Sequence, residues 1–208
     1  MGFPDTSQSL LLRVRDTEDH RSWEQFAEIY SPLIERFCAW RGLPNEDVRD
    51  VTQDVLAAVS HAIKKFDYDP QKGAFRAWLL TVTRNKLSTH MAKKNRQPAP
   101  RGAQTVVAML DSRQPPAPEE MDVWERDYRR RLFNWAAEKT QSDFEPVTWK
   151  AFWSTAVLGK PGGEVAEDLN LNIGSVYTAK SRVLKRIRER IATVADEWDI
   201  YQCEPSQS

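Results

Sequence analysis

The chain has 208 residues, and its 30 basic and 30 acidic side chains leave no formal net charge. That length accommodates one domain or two small ones, and a neutral total says nothing by itself about partners. The two cysteines, Cys38 and Cys203, exclude a disulfide framework and indicate a reducing compartment. No apolar run has the length of a membrane span, and the first residues lack a signal-peptide pattern. We therefore expect a soluble, cytoplasmic protein that contacts no membrane.

The charges are concentrated in a few segments. Residues 1–70 carry 8 basic and 13 acidic side chains, whereas residues 71–110 carry 8 basic side chains and no acidic one. A second basic segment, residues 180–190, holds six basic side chains and one acidic side chain. Two separate basic segments in a neutral chain favour the binding of polyanions at two places.

The first hundred residues carry the pattern of a helical bundle. Apolar residues recur every three or four positions between Trp23 and Phe37, which predicts an amphipathic helix. A second helix is predicted from Asn45, with a cap and acidic residues in its first turn, and its apolar stripe reaches Phe66. A third, wholly basic helix follows over residues 75–96. The period-two alternation of strands is absent.

Residues 97–120 contain five of the twelve prolines and lack periodicity, which predicts a flexible linker. The linker separates a first domain at residues 9–96 from a second domain at residues 121–195. The second domain opens with aromatic and apolar side chains at helical spacing over residues 121–139. We therefore predict an all-α protein of two small helical domains joined by a flexible linker.

The second domain contains the pattern of a helix-turn-helix: a short helix over residues 164–169, a tight turn, and a long helix capped by Asn172. The long helix carries hydroxyl, aromatic and basic side chains suited to base edges and phosphates in a major groove. A basic helix in an ordinary bundle is the competing interpretation. The candidate DNA-binding residues are Asn172, Ser175, Tyr177, Thr178, Ser181, Arg182, Lys185 and Arg186.

The first domain offers weaker signals of function. The basic helix has no acidic partners at i, i+4 spacing, and Phe66 and Tyr68 precede it, where aromatic faces suit unstacked bases. Charge runs of this kind are also typical of solvated helix ends. An acidic face on the second helix is equally typical of a wet surface. It consists of Asp47, Asp50, Gln53 and Asp54.

Residue types that carry catalysis or bind metals are scattered. The three histidines have no second histidine or cysteine at ligand spacing. No glycine-rich phosphate loop and no nucleophile–base pairing is present. We therefore predict no catalytic residue, no cofactor and no metal site.

Taken together, these segments resemble a known family. Residues 50–55 (DVTQDV) and 75–79 (FRAWL), with Arg84 and Asn85, are similar to region 2 of bacterial RNA polymerase sigma factors. The helix-turn-helix, with VAEDL at residues 165–169 and IGSVY following it, is similar to region 4. The order of these regions, with a linker and no room for others, resembles the extracytoplasmic-function (ECF) subgroup of the sigma-70 family.

The resemblance implies that core RNA polymerase and promoter DNA are partners, and it admits an anti-sigma factor. The acidic face Asp47, Asp50, Gln53 and Asp54 would dock on core polymerase. Residues 65–73 would capture a flipped base of the −10 promoter element, and the capped long helix would read the −35 element. The residues implied for the −10 element are Lys65, Phe66, Tyr68, Lys72, Arg76, Arg84, Asn85 and Thr89.

Two other functions stay open alongside the sigma factor. A helix-turn-helix transcriptional regulator that does not engage core polymerase needs neither the acidic face nor the aromatic segment. A helical interaction protein that touches no nucleic acid needs neither basic segment. The −35 preference is not implied, because residues 174–179 read GSVYTA where the family often has GTVKSR.

Overall fold

The computed structural model describes residues 10–11, 13–16, 18–63, 75–94 and 116–195. Every regular element in those ranges is helical, which confirms the predicted all-α fold. Contacts divide the chain into two compact units, Leu10–Tyr128 and a second one that includes the residues from Arg129 onward. The helices are α1 His20–Trp40, α2 Asn45–Ala62, α3 Phe75–Lys94, α4 Pro118–Thr140, α5 Pro146–Phe152, α6 Gly162–Leu169 and α7 Ile173–Ile191.

Helices α1, α2 and α3 pack against one another in the first unit. The carboxylate of Asp19 caps α1, because it accepts the hydroxyl of Ser22 at 2.6 Å and its backbone N–H at 3.0 Å. The hydroxyl and backbone hydrogen bonds both lower the pKa of Asp19. The three helices meet through apolar faces that are almost fully buried. These faces include Phe26, Ile34, Phe37, Val51, Val55, Val59, Leu79 and Leu80.

Helix α2 begins without the predicted side-chain cap. The cap position is occupied by Pro44, whose side chain has no hydrogen-bonding group, and no side chain accepts a hydrogen bond there. Glu46 and Asp47 lie in the first turn, so acidic charge alone complements the helix amino terminus. The apolar stripe faces the core and leaves Asp50 and Asp54 exposed on the other side of the helix.

The first half of α4 belongs to the first unit. Trp124 and Tyr128 are each 1% exposed; Trp124 meets Phe37 edge-to-face at 5.5 Å, and Tyr128 stacks on Tyr30 at 5.7 Å. The helix begins at Pro118, before the predicted start at residue 121, and the division between units falls inside it. The predicted domain limits, 9–96 and 121–195, are therefore not the limits of the two contact units.

The second unit contains the predicted helix-turn-helix. Helix α6 ends at Leu169, and the residue that caps it, Asn170, adopts the left-handed conformation (φ 53°, ψ 47°). Helix α7 begins directly after Asn172. Asparagine tolerates that conformation better than most residues. Small and β-branched side chains let the two helices approach closely. Together with Ala151 of α5 they form a buried cluster of Val165, Ala166, Val176 and Ala179.

No helix among the described residues is long and apolar enough to cross a bilayer. The same residues contain no group of three His, Cys, Asp or Glu side chains that could hold a metal ion. Cys38 is buried, and its desolvation raises the pKa of the thiol to about 12, so the nucleophilic thiolate is disfavoured.

Candidate nucleic-acid interface

The amino terminus of α7 is held in place by its turn. The side-chain oxygen of Asn172 accepts the backbone N–H of Ser175 at 2.7 Å, which is the predicted cap. The N–H of Leu171 donates to the carbonyl of Ala166 at 2.8 Å and closes the end of α6. These bonds fix where α7 leaves the turn and hence which of its side chains face outward.

The outward face of α7 brings most of the predicted donors together. Val176, Ala179 and Val183 turn inward and are buried, so the side chains between them project into solvent. Arg182 and Lys185 are exposed and form no ion pair with any described residue. The predicted residues on this exposed face are Asn172, Tyr177, Thr178, Ser181, Arg182, Lys185 and Arg186, with Ser175 half-buried beside them.

Arg186 differs from its neighbours because it is tied to its own domain. Its guanidinium donates to Asp143 at 2.9 Å and to Glu189 at 3.3 Å. Arg190 also reaches Asp143, at 3.2 Å. The hydrogen bond from Arg186 lowers the pKa of Asp143, and the same bond raises the pKa of Arg186. Arg186 therefore joins α7 to the segment after α4, whereas Arg182 and Lys185 have no such role.

Tyr177 lies against the start of α6. Its phenol is so close to Gly162 that a side chain at that position would meet it, and the tyrosine is still 55% exposed. Tyr177 and Lys180 line a cleft with the turn that precedes α6. Tyr177, which stands where the family often has Lys, is therefore positioned by its contact with Gly162 of α6.

Two arginines of α3, Arg76 and Arg84, have acidic partners in α4. Arg76 donates to both carboxylate oxygens of Glu125, at 2.9 and 3.2 Å, and its guanidinium lies 4.6 Å from the ring centre of Tyr128. Arg84 forms an ion pair with Glu120 at 3.2 Å. The expectation that these bases lack partners within their own helix is correct, but their partners come from α4.

The other residues implied for the −10 element have mixed surroundings. The side-chain amide nitrogen of Asn85 is buried and donates to no atom of the described residues. Thr89 donates its hydroxyl to the carbonyl of Asn85 at 2.9 Å, so it contributes to the helix itself. Lys65, Phe66, Tyr68 and Lys72 lie outside the described residues.

Within the described residues, Asp47 is the member of the acidic face of α2 that forms ion pairs. Asp47 accepts a hydrogen bond from Lys94 at 2.6 Å and lies 3.4 Å from His90, so it connects α2 to the end of α3. The Lys94 hydrogen bond lowers the pKa of Asp47. Asp50, Gln53 and Asp54 are exposed, and neither aspartate forms an ion pair within the described residues.

Comparison with known proteins shows a similarity to sigma factors. The sigma-70 region 2 family matches residues 26–97. The ECF RNA polymerase sigma factor RpoE of Cereibacter sphaeroides is 22% identical to it over 88% of this chain and 94% of the relative. The RNA polymerase sigma factor CnrH of Cupriavidus metallidurans is 30% identical over 40% of this chain and 42% of the relative.

The first of these relatives is similar over almost the whole chain and is designated an ECF sigma factor. A solved structure, CnrH in complex with the cytosolic domain of CnrY, is 20% identical and covers 89% of this chain and 96% of that chain. Its TM-score of 0.36 is too low to indicate a common arrangement of the whole chain. The similarity to sigma factors therefore rests on sequence.

Sequence reasoning about this chain missed one set of residues. Glu120, Glu125 and Asp127 accept hydrogen bonds from arginines that lie 79, 49 and 91 positions away in the chain, respectively. Helical periodicity predicts neighbours three or four positions apart, so it cannot predict pairs that are distant in the chain. The local signal on this helix was the four-residue spacing of Trp124 and Tyr128, which predicts a buried face.

Proposed function

We propose that this protein is an ECF sigma factor that binds core RNA polymerase and directs promoter recognition and DNA melting in transcription initiation. The observation that carries the proposal is the region 2 match over residues 26–97 in a chain that also contains an exposed helix-turn-helix. Each element alone occurs in other proteins. Their succession in one chain is typical of a sigma factor that spans two promoter elements.

In this proposal α7 reads the −35 element. An α-helix of this kind fits the major groove of B-DNA, where hydroxyl, aromatic and basic side chains distinguish base pairs. Ser181 and Arg182 lie on the exposed face with Tyr177, and Lys185 follows one turn later where phosphates flank the groove. The capped turn supports the proposal because it holds these side chains at a fixed orientation.

The −10 element is assigned to residues 65–73 and to α3. Taking a base out of the duplex costs a few kcal/mol for each unstacked step, and aromatic stacking with phosphate contacts can offset that cost. Phe66 and Tyr68 provide aromatic faces, and Lys65 and Lys72 provide charge for the displaced strand. Arg76, Arg84, Asn85 and Thr89 are proposed to extend the interface along α3.

Core polymerase is proposed to dock on the exposed part of the acidic face, Asp50, Gln53 and Asp54. Free carboxylates at exposed positions are suited to a basic partner surface. Asp47 contributes less in this proposal, because Lys94 and His90 already surround it. The protein acts without catalytic residue, cofactor or metal, and in the cytoplasm, where promoter DNA and polymerase are found. Regulation by an anti-sigma factor stays a prediction.

A transcriptional regulator that binds DNA without core polymerase is the second candidate, because the exposed face of α7 would serve either protein. Transcription of a genomic fragment library by core polymerase, with and without this protein, distinguishes them. A sigma factor produces transcripts that start at defined sites and require the protein. Transcription that is unchanged by the protein, despite its binding to DNA, would favour the regulator.

A further inference from the structure

The first half of α4 carries three acidic side chains that contact arginines of α1, of the residue after α1, and of α3. The side chains of Glu120 and Asp127 are only 7% exposed, and that of Glu125 is 20% exposed. Carboxylates are rarely buried unless they are paired. Their burial on one side of one helix indicates that this surface is built to meet positive charge.

Each of these carboxylates meets an arginine of the first unit. Glu125 accepts two hydrogen bonds from Arg76, and Asp127 accepts one from Arg36 at 2.7 Å. Glu120 lies between Arg41 and Arg84 and also accepts the N–H of Ala117 at 3.2 Å. Acidic side chains of α4 therefore form ion pairs with arginines of α3 and with arginines in or directly after α1.

Apolar contacts hold the same half-helix in place. Trp124 and Tyr128 are buried between the acidic positions, against Phe37 and Tyr30 of α1. Tyr128 also lies under the guanidinium of Arg76, 4.6 Å from the ring centre. The ring of Tyr128 takes the place against this guanidinium that a nucleic-acid base would take, and the carboxylate of Glu125 takes the place of a phosphate.

The Nε–H of Arg76 is shared between the two carboxylate oxygens of Glu125 and the face of its guanidinium lies on Tyr128, so this arginine is less available to a phosphate. We propose that residues 118–128 are an intramolecular competitor for nucleic acid, which covers Arg76 and Arg84 until single-stranded DNA displaces it. This inference rests on the proposed function, since it assigns α3 to the −10 element. It predicts that the protein without core polymerase binds single strands weakly because its own helix occupies the site.

A double variant of the full-length protein, Glu120→Gln with Glu125→Gln, tests the competition. The matched control is Glu119→Gln with Asp122→Asn, which removes the same charge from exposed positions of the same half-helix. Binding of a fluorescent single-stranded oligonucleotide is measured by anisotropy at several salt concentrations. We expect the variant to bind about tenfold more tightly than wild type, and the control to bind like wild type.

The salt dependence identifies the groups that are released. Each phosphate contact on a single strand contributes a slope of about −0.7 to the plot of log affinity against log salt, so two freed arginines should steepen it by about 1.4. Unchanged affinity and slope in a variant with native circular dichroism would overturn the competition. If the variant does not fold, hydrogen exchange of the wild-type protein with and without the oligonucleotide tests the competition instead.

Hydrogen exchange of wild-type protein tests displacement without any substitution. When saturating oligonucleotide is added, the competition predicts faster exchange of the amides in residues 118–128. Unchanged or slower exchange there, with DNA bound, would overturn it. The proposed function is tested separately: if wild-type protein supports transcription by core polymerase while these amides are unaffected, only the competition is wrong.

Discussion

The phenol of Tyr177 lies over Gly162: a β-carbon placed on that glycine would be 2.9 Å from the tyrosine hydroxyl oxygen and 3.0 Å from its ring carbon Cζ. Real side chains do not tolerate such distances, so any other residue at this position would move the tyrosine. Gly163, the next residue, has open space in place of a side chain. The two adjacent glycines of α6 therefore differ in what a side chain would contact: Tyr177 at position 162 and open space at position 163.

We expect Gly162→Ala to alter recognition of the −35 element, because it displaces Tyr177 on the reading face of α7. Gly163→Ala is the control, since both changes favour helix α6 by a similar amount. Affinity for a −35 duplex should fall about fivefold in the first variant, which corresponds to ~1 kcal/mol, and stay unchanged in the second. Equal affinities in a fluorescence titration would show that the position of Tyr177 is irrelevant to recognition.

Arg182 and Arg186 should contribute to different properties of the protein. Arg182 is exposed without an ionic partner in the described chain, so Arg182→Ala should reduce the salt slope of duplex binding by about 0.9, the value for one phosphate contact. Arg186 is paired with Asp143, so Arg186→Ala should lower the melting temperature more and the salt slope less. A larger loss of slope for Arg186→Ala would reverse these assignments.

Asp143 provides a test that depends on pH. The hydrogen bond from Arg186 lowers the pKa of Asp143 from 3.8, so the carboxylate stabilises the fold above that pH and loses its effect as the pH falls through the lower, folded-state pKa. Asp143→Asn should therefore lower the melting temperature at pH 7, and the difference from wild type should shrink below pH 3.8. Glu167→Gln, at an exposed position, is the control. A difference that persists undiminished in acid would contradict the ion pair.

Local patterns were enough to predict the helices and the turn of the helix-turn-helix. The spacing of apolar residues specifies α1, α2 and α7, and a cap such as Asn172 is a property of a few consecutive residues. The cap of α2 was not predicted correctly, because Pro44 takes the position that a polar residue would need. These elements depend on interactions within one turn, which a sequence displays directly.

Pairing between distant segments was beyond the reach of those patterns. The run without acids that contains Arg76 suggested free cations, yet Glu125 lies 49 positions further along the chain. Trp124 was assigned to a second domain by its helix, while its ring packs on Phe37 of the first unit. One continuous helix contributes to two units, and periodicity cannot reveal where a helix changes its neighbours.

Co-elution with core RNA polymerase tests most directly whether this chain acts as a sigma factor. Asp50 and Asp54 lie on one side of α2, away from Val51 and Val55, so Asp50→Lys with Asp54→Lys should change the stability by no more than about 0.5 kcal/mol. A basic partner would be repelled, since like charges at an interface cost several kcal/mol. Glu24→Lys with Glu119→Lys is the control of equal charge at exposed positions.

Wild type and control should co-elute with core polymerase in gel filtration, and the Asp50→Lys, Asp54→Lys protein should elute alone while it keeps its helical circular dichroism and melting temperature. Co-elution of that folded variant with native affinity would contradict docking through α2. Absence of any complex between the wild-type protein and core polymerase would contradict the sigma-factor function itself.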